Sequence, residues 1–111
     1  MNSENRFTKE DIVEFVEKGV ELLDKARPDW YKEIDMEAFY ISSCQQCILG
    51  QLFGNYTDGT IMLGVSGHAY EHGFDIPTTL STDDGVYFEY FEYLQREWEG
   101  QIEQRRNSVK R

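Results

Sequence analysis

Apolar residues recur at three- and four-residue spacing near both ends of this chain, and that period commits most of it to helix. Between Lys9 and Ala26, the residues Ile12, Phe15, Val16, Val20, Leu22, Leu23 and Ala26 fall on one broad arc at ~100° per residue. Opposite them, Glu10, Glu14, Glu17, Glu21 and Asp24 form a narrow acidic stripe. Thr8 with Asp11 three residues later is a capping arrangement, in which the threonine hydroxyl satisfies an early backbone N–H, so the helix is expected to begin near Lys9. Pro28 biases Arg27 away from helical geometry and should end it. Tyr87, Phe91, Leu94, Trp98 and Ile102 repeat the spacing in a last helix expected to begin near Asp83, where acidic residues favour the positive end of the helix dipole.

The middle of the chain is less periodic. Asp29 to Asp35 reads as a short turn that places Trp30 and Ile34 on one side. Phe39-Tyr40-Ile41 favours a strand by propensity, but no segment of similar character is present to pair with it, and we assign Met36 to Ile41 as loop. Ser42 and Ser43 stand where an N-cap is wanted, ahead of a short buried helix carrying Cys47, Ile48, Leu49, Leu52 and Phe53. Gly50 within it implies close packing, and Gly54 with Asn55 should end it. Thr60 to Val65 suits a further short helix ending at Gly64 or Gly67, and His68 to Thr82 reads as loop.

The expected fold class is therefore mainly α: a small single-domain helical bundle with two long amphipathic helices around a short buried central helix. Its 111 residues, 40% apolar and 14% aromatic, are enough for one core and too few for two. We expect a flexible N-terminus over residues 1–7, a helical domain over 8–104 and a basic C-terminal tail over 105–111.

Charge narrows the classes of partner. Twenty-one acidic residues against eleven basic ones leave a net charge of -10, which argues against direct binding to nucleic acid or to an anionic membrane. The four basic residues Arg105, Arg106, Lys110 and Arg111 reduce the -14 carried by residues 1–104 to that total, so the acidity belongs to the folded body. No run approaches the ~18 apolar residues of a membrane span. Two cysteines and no apolar signal core fit a cytoplasmic chain with reduced thiols.

One constellation suggests specific chemistry. Cys44-x2-Cys47 and His68-x3-His72 are two short-spaced pairs of the donor types that hold zinc at tetrahedral geometry. Against this, Cys47 falls on the buried face of its helix, where cysteine is ordinarily a small core hydrophobe. Our main reading therefore needs no cofactor, with a zinc-stabilised structural module as the alternative. Catalytic signatures are missing: Gly64-Val65-Ser66-Gly67-His68 is not a nucleophile elbow, and neither a P-loop nor a dinucleotide fingerprint occurs, so the chain is read as a non-enzyme.

Two surfaces could serve binding. The carboxylates of Glu10, Glu14, Glu17, Glu21 and Asp24 could occupy a groove that normally takes a nucleic-acid backbone. In the last helix, Phe88, Tyr90 and Tyr93 are expected at the margins of the core stripe, where amphipathic aromatics serve in partner or homodimer contacts.

Gly19-Val-Glu-Leu22-Leu23-Asp24, Pro28-Asp-Trp30, Ile34-Asp35, Cys47-Ile-Leu-Gly50-Gln51-Leu-Phe-Gly54-Asn-Tyr56, Leu63-Gly64 and His72-Gly73-Phe74-Asp75 together resemble a family of small uncharacterised bacteriophage and prophage proteins. The resemblance spans Gly19 to Asp75, with a looser echo from Leu94 to Ile102, and its most specific element is Cys-x-Leu-Gly-Gln-Leu-x-Gly. It implies context and no catalytic residues: small acidic phage proteins often bind and inhibit a host protein, host defence nucleases among them. The expected partner is accordingly a host protein.

Overall fold

The computed structural model describes residues 8–76 and 84–109, with side chains in the last helix from Phe88 to Ser108. Residues 1–7, the segment 77–83, the Tyr87 side chain and residues 110–111 lie outside this description. Among the described residues the chain is a small all-α domain without strands. Its helices are α1 (Lys9–Ala26), α2 (Ile48–Phe53), α3 (Tyr56–Leu63) and α4 (Asp84–Val109), with 3-10 turns at Trp30–Lys32 and Ala69–His72.

Local signals set most of the boundaries. Thr8 and Asp11 form a reciprocal capping box, the Asp11 N–H donating to the Thr8 hydroxyl at 3.1 Å and the Thr8 N–H to the Asp11 carboxylate at 2.9 Å. Helix α1 ends at Ala26, two residues before Pro28. The expected serine cap of α2 is corrected: Cys47 is the N-cap, its Sγ accepting the Gly50 N–H at 3.3 Å. Gly54, at φ +102°, turns the chain out of α2, and the Asn55 side chain caps α3 by accepting the Asp58 N–H at 2.8 Å.

The long helices pack directly on one another, and α1 also packs on the turn Ala69–His72, while α2 packs chiefly on α3. At the centre, Leu23, Trp30, Ile48, Leu49, Leu94, Trp98 and Ile102 are fully buried. Trp98 stacks on Phe74 with ring centres 5.5 Å apart and meets Trp30 edge-on at 5.7 Å. Its indole N–H donates to the Gly73 carbonyl at 2.7 Å, which satisfies a donor that has no access to water. A Cβ at Gly19 would overlap the His72 carbonyl oxygen and press on the Trp98 ring, so α1 approaches this turn through a glycine. Gly73, at φ +75°, lies where a Cβ would come within 2.9 Å of the Val16 Cα.

Side chains hold the irregular segments between the helices. The Gln95 amide accepts the Ile41 N–H at 2.8 Å and donates to the Phe39 carbonyl at 3.1 Å, as a neighbouring strand would. Phe39 and Ile41 are buried while Tyr40 between them is 59% exposed, the alternation of a strand whose partner is one side chain. Gln51 does the same for Asp35, accepting its N–H at 2.7 Å and donating to its carbonyl at 3.2 Å. Arg27 ties the end of α1 to α2, donating to the Leu52 carbonyl at 2.6 Å and to Glu33 at 2.9 Å.

Each residue of Cys47-Ile-Leu-Gly-Gln-Leu-Phe-Gly54 thus has a place in the fold. Cys47 caps, Ile48, Leu49 and Leu52 are buried, Gln51 clips Asp35, and Gly54 turns the chain. Phe53 lies under the Arg27 guanidinium at 5.4 Å. At Gly50 a Cβ would come within 2.5 Å of the Cys44 carbonyl oxygen.

Two glycine substitutions should therefore act in opposite directions. Gly19→Ala is expected to lower stability by about 1–3 kcal/mol through overpacking, despite alanine's better helix propensity. Gly100→Ala, with nothing within 4 Å of the added methyl, is expected to raise it by about 0.5–1 kcal/mol. Urea denaturation of both variants measures the pair.

Candidate functional site

Helix α1 presents a continuous acidic face. Glu10, Glu14, Glu17 and Glu21 are all exposed, because Ile12, Val16, Gly19, Val20 and Leu23 take the opposite side into the core. The eleven helical steps from Glu10 to Glu21 extend about 16 Å along the axis, with successive members roughly 5–6 Å apart at Cβ. None of the four takes part in an ion pair among the described residues, while Lys18 and Lys25 are exposed along one edge of the row.

Asp24 does not belong to this face. Its carboxylate accepts both ends of the Arg105 guanidinium, at 2.8 and 2.6 Å, and the Trp30 indole N–H at 3.0 Å. The hydrogen bond from Arg105 is the main cause of a carboxyl held below its ordinary range, against the opposing effect of burial. Arg106, next along α4, donates to the Tyr31 carbonyl at 3.0 and 2.8 Å and to the Ile34 carbonyl at 2.6 Å. The expected boundary at residue 104 is corrected accordingly: α4 continues to Val109, and its two arginines fasten the turn that follows α1.

The aromatic margin of α4 also divides. Tyr90 is buried at 4% exposure and continues the row Leu94, Trp98 and Ile102 at four-residue spacing, so its assignment to a partner surface is corrected. Burial first, and then the Asp11 carboxylate, push its phenol well above the ordinary value. Tyr93 is half-buried on the seam between the long helices, with the Lys9 ammonium 4.9 Å from its ring centre. Phe88 is 70% exposed.

The four candidate metal donors play separate parts. Cys47 is buried in the cap of α2, where burial pushes its thiol up. Cys44 is exposed on the preceding turn. His68 and His72 have ring centres 6.1 Å apart, and His68 lies 3.8 Å from a Glu71 carboxylate oxygen. Among the described residues no group of three or more His, Cys, Asp or Glu side chains is placed to hold a metal ion.

An open groove of about 630 Å³ lies between the strand-like segment and α4, lined by Tyr40, Ile41, Phe88, Phe91, Glu92 and Gln95. At Ile41 and Phe91 it adjoins a smaller one of about 150 Å³, bounded by Cys44, Phe74 and the pair Tyr56–Asp75. The Tyr56 hydroxyl donates to the Asp75 carboxylate at 2.7 Å, and burial together with that bond raises its phenol. Sequence reading missed the groove, whose only linear signal is the apolar pair flanking Tyr40.

No helix among the described residues is long and apolar enough to cross a membrane. Comparison of the chain with protein-family models, with curated proteins and with solved structures yields no match.

His72 gives the site region a dependence on pH. Its Nδ1 is buried with no hydrogen-bond partner among the described residues, and burial, followed by the neighbouring His68 and Lys18, lowers its imidazole below 6.5 against the opposing effect of Glu71. The unfolded chain therefore binds the proton more readily than the folded one. The contribution to stability is present above pH 6.5 and is lost as pH falls from there through the lowered folded value. Urea midpoints measured between pH 7.5 and pH 5 should fall with acid in the native sequence and flatten in that window in His72→Gln.

Proposed function

We propose that this chain works by binding, and that the acidic row of α1 engages a cationic surface on a host protein. The observation that carries this reading is the exposure of Glu10, Glu14, Glu17 and Glu21 without ion pairs among the described residues. Four carboxylates presented in line by one helix need no backbone ordering when a partner arrives, which favours both encounter rate and specificity. A lysine- and arginine-lined surface built for a phosphate backbone is the natural complement, so a nucleic-acid-binding or defence protein is the target class. The resemblance to phage-encoded proteins supports a host protein as the source of that surface. Asp24, committed to Arg105, takes no part.

Charge reversal tests the proposal. Glu14→Lys/Glu17→Lys changes the net charge by the same amount as Glu37→Lys/Glu103→Lys, and all four positions are exposed. Capture of the partner from host extract should fall about tenfold or more for the first double variant, and should stay near native for the second. Equal capture by both, with unchanged circular dichroism, would overturn the assignment of the face.

A further inference from the structure

We propose that Cys44 and Cys47 form a redox-sensitive pair whose oxidation by a low-molecular-weight disulfide removes the N-cap of α2. Both thiols are free, and they differ in a way that assigns an order to them: Cys44 is exposed and Cys47 is buried. The Cys47 N–H donates to the Ser43 carbonyl at 3.1 Å, closing a helix-like turn around Cys44. Residues three apart in such a turn have Cβ atoms roughly 5–6 Å apart. Disulfides form across Cβ separations of about 3.5–4.5 Å, so the sulfurs meet after a modest movement.

The surrounding contacts hold both backbones, so closure falls to the side chains, of which Cys44 is exposed and Cys47 is buried. The Cys44 carbonyl accepts the Tyr56 N–H at 2.8 Å and lies against Gly50, where no Cβ would fit. The backbone of Cys44 is therefore held between α2 and the start of α3. The Cys47 backbone is held as well, its N–H by the Ser43 carbonyl and its carbonyl by the Gln51 N–H at 2.9 Å, and its sulfur accepts the Gly50 N–H at 3.3 Å. Bringing the sulfurs together rotates the Cys47 side chain out of the core and takes the acceptor away from that N–H.

The chemistry balances as two exchanges. The Cys44 thiolate attacks one sulfur of the external disulfide, forming a mixed disulfide and expelling one thiolate. The Cys47 thiolate then attacks the Cys44 sulfur, forming the intramolecular bond and expelling the second thiolate. Two protein thiols lose two electrons, the external disulfide gains them, and the two protons end on the released thiols. Burial that raises the Cys47 thiol makes the second step the slow one. Oxidation is accordingly slow, reversible by thiols, and tied to loosening of the first turn of α2.

Oxidised glutathione, added to the full chain, tests this, with intact mass and amide exchange as readouts. The native sequence should lose the mass of two hydrogens, regain it with excess reduced glutathione, and show exchange at the Gly50 amide about tenfold faster when oxidised. Cys47→Ser, whose hydroxyl can still cap α2, should stop at a glutathione adduct on Cys44 and keep the Gly50 amide protected. Cys44→Ser should show neither mass change nor faster exchange. A native chain that accumulates only the Cys44 adduct, that does not react, or that forms the internal bond while Gly50 stays protected would overturn the proposal.

Discussion

The indole N–H of Trp98 meets the Gly73 carbonyl inside a space that α1 closes with a glycine, and the arrangement of the long helices depends on that contact. A tryptophan buried to this extent contributes a large apolar surface, on the order of 1.5–3 kcal/mol for a large side chain, but only if its one donor is satisfied. The donor finds the carbonyl of Gly73, a residue that packs closely on Val16 of α1 and follows the His72 carbonyl that lies against Gly19. Three segments distant in sequence are thus fixed by one small polar group. Phe74, stacked on the same ring system, and Trp30, edge-on to it, extend the constraint to the turn that follows α1.

Beyond that centre, the domain relies on side chains where a larger protein would use regular secondary structure. Residues 27–47 contain only one short 3-10 turn, yet polar groups from elsewhere bind their backbone at several points. Arg106 takes the carbonyls of Tyr31 and Ile34, Gln51 takes both groups of Asp35, and Gln95 takes Phe39 and Ile41. The donors sit on α2 and α4, so these helices act as templates for the loop as well as walls of the core. Using Arg105 and Arg106 in this way also leaves the acidic face of α1 without those two cations as neighbours.

Both long helices were legible in sequence because period and capping chemistry are local. The Thr8 box, the stop before Pro28 and the α1 core face follow from neighbours within four residues. Asp24 was misplaced because its position on the polar side of the α1 pattern says nothing about Arg105, 81 residues away in sequence. Tyr90 was misplaced because Phe88, Tyr90, Phe91 and Tyr93 are all aromatic, and tertiary packing decides which of them the core takes in. The part that Cys47 plays as the cap of α2 is not legible in the Cys-x2-Cys spacing, because a sulfur accepting a backbone N–H one turn ahead leaves no mark on residue type. The groove beside Tyr40 was invisible because its walls come from two segments nearly fifty residues apart.

The strand-like segment from Phe39 to Ile41 has a consequence for how relatives of this protein would diverge. A real strand tolerates many side chains on its neighbour, since the pairing is made by backbone. Here the pairing is made by one primary amide that must both accept and donate at a fixed reach. Glutamate at position 95 would keep the acceptor and lose the donor, and asparagine would fall short by one methylene. The record of shared ancestry in such a domain would lie in scattered single positions, Gln51, Gln95, Gly19 and Gly73, each silent alone and informative only with its distant counterpart.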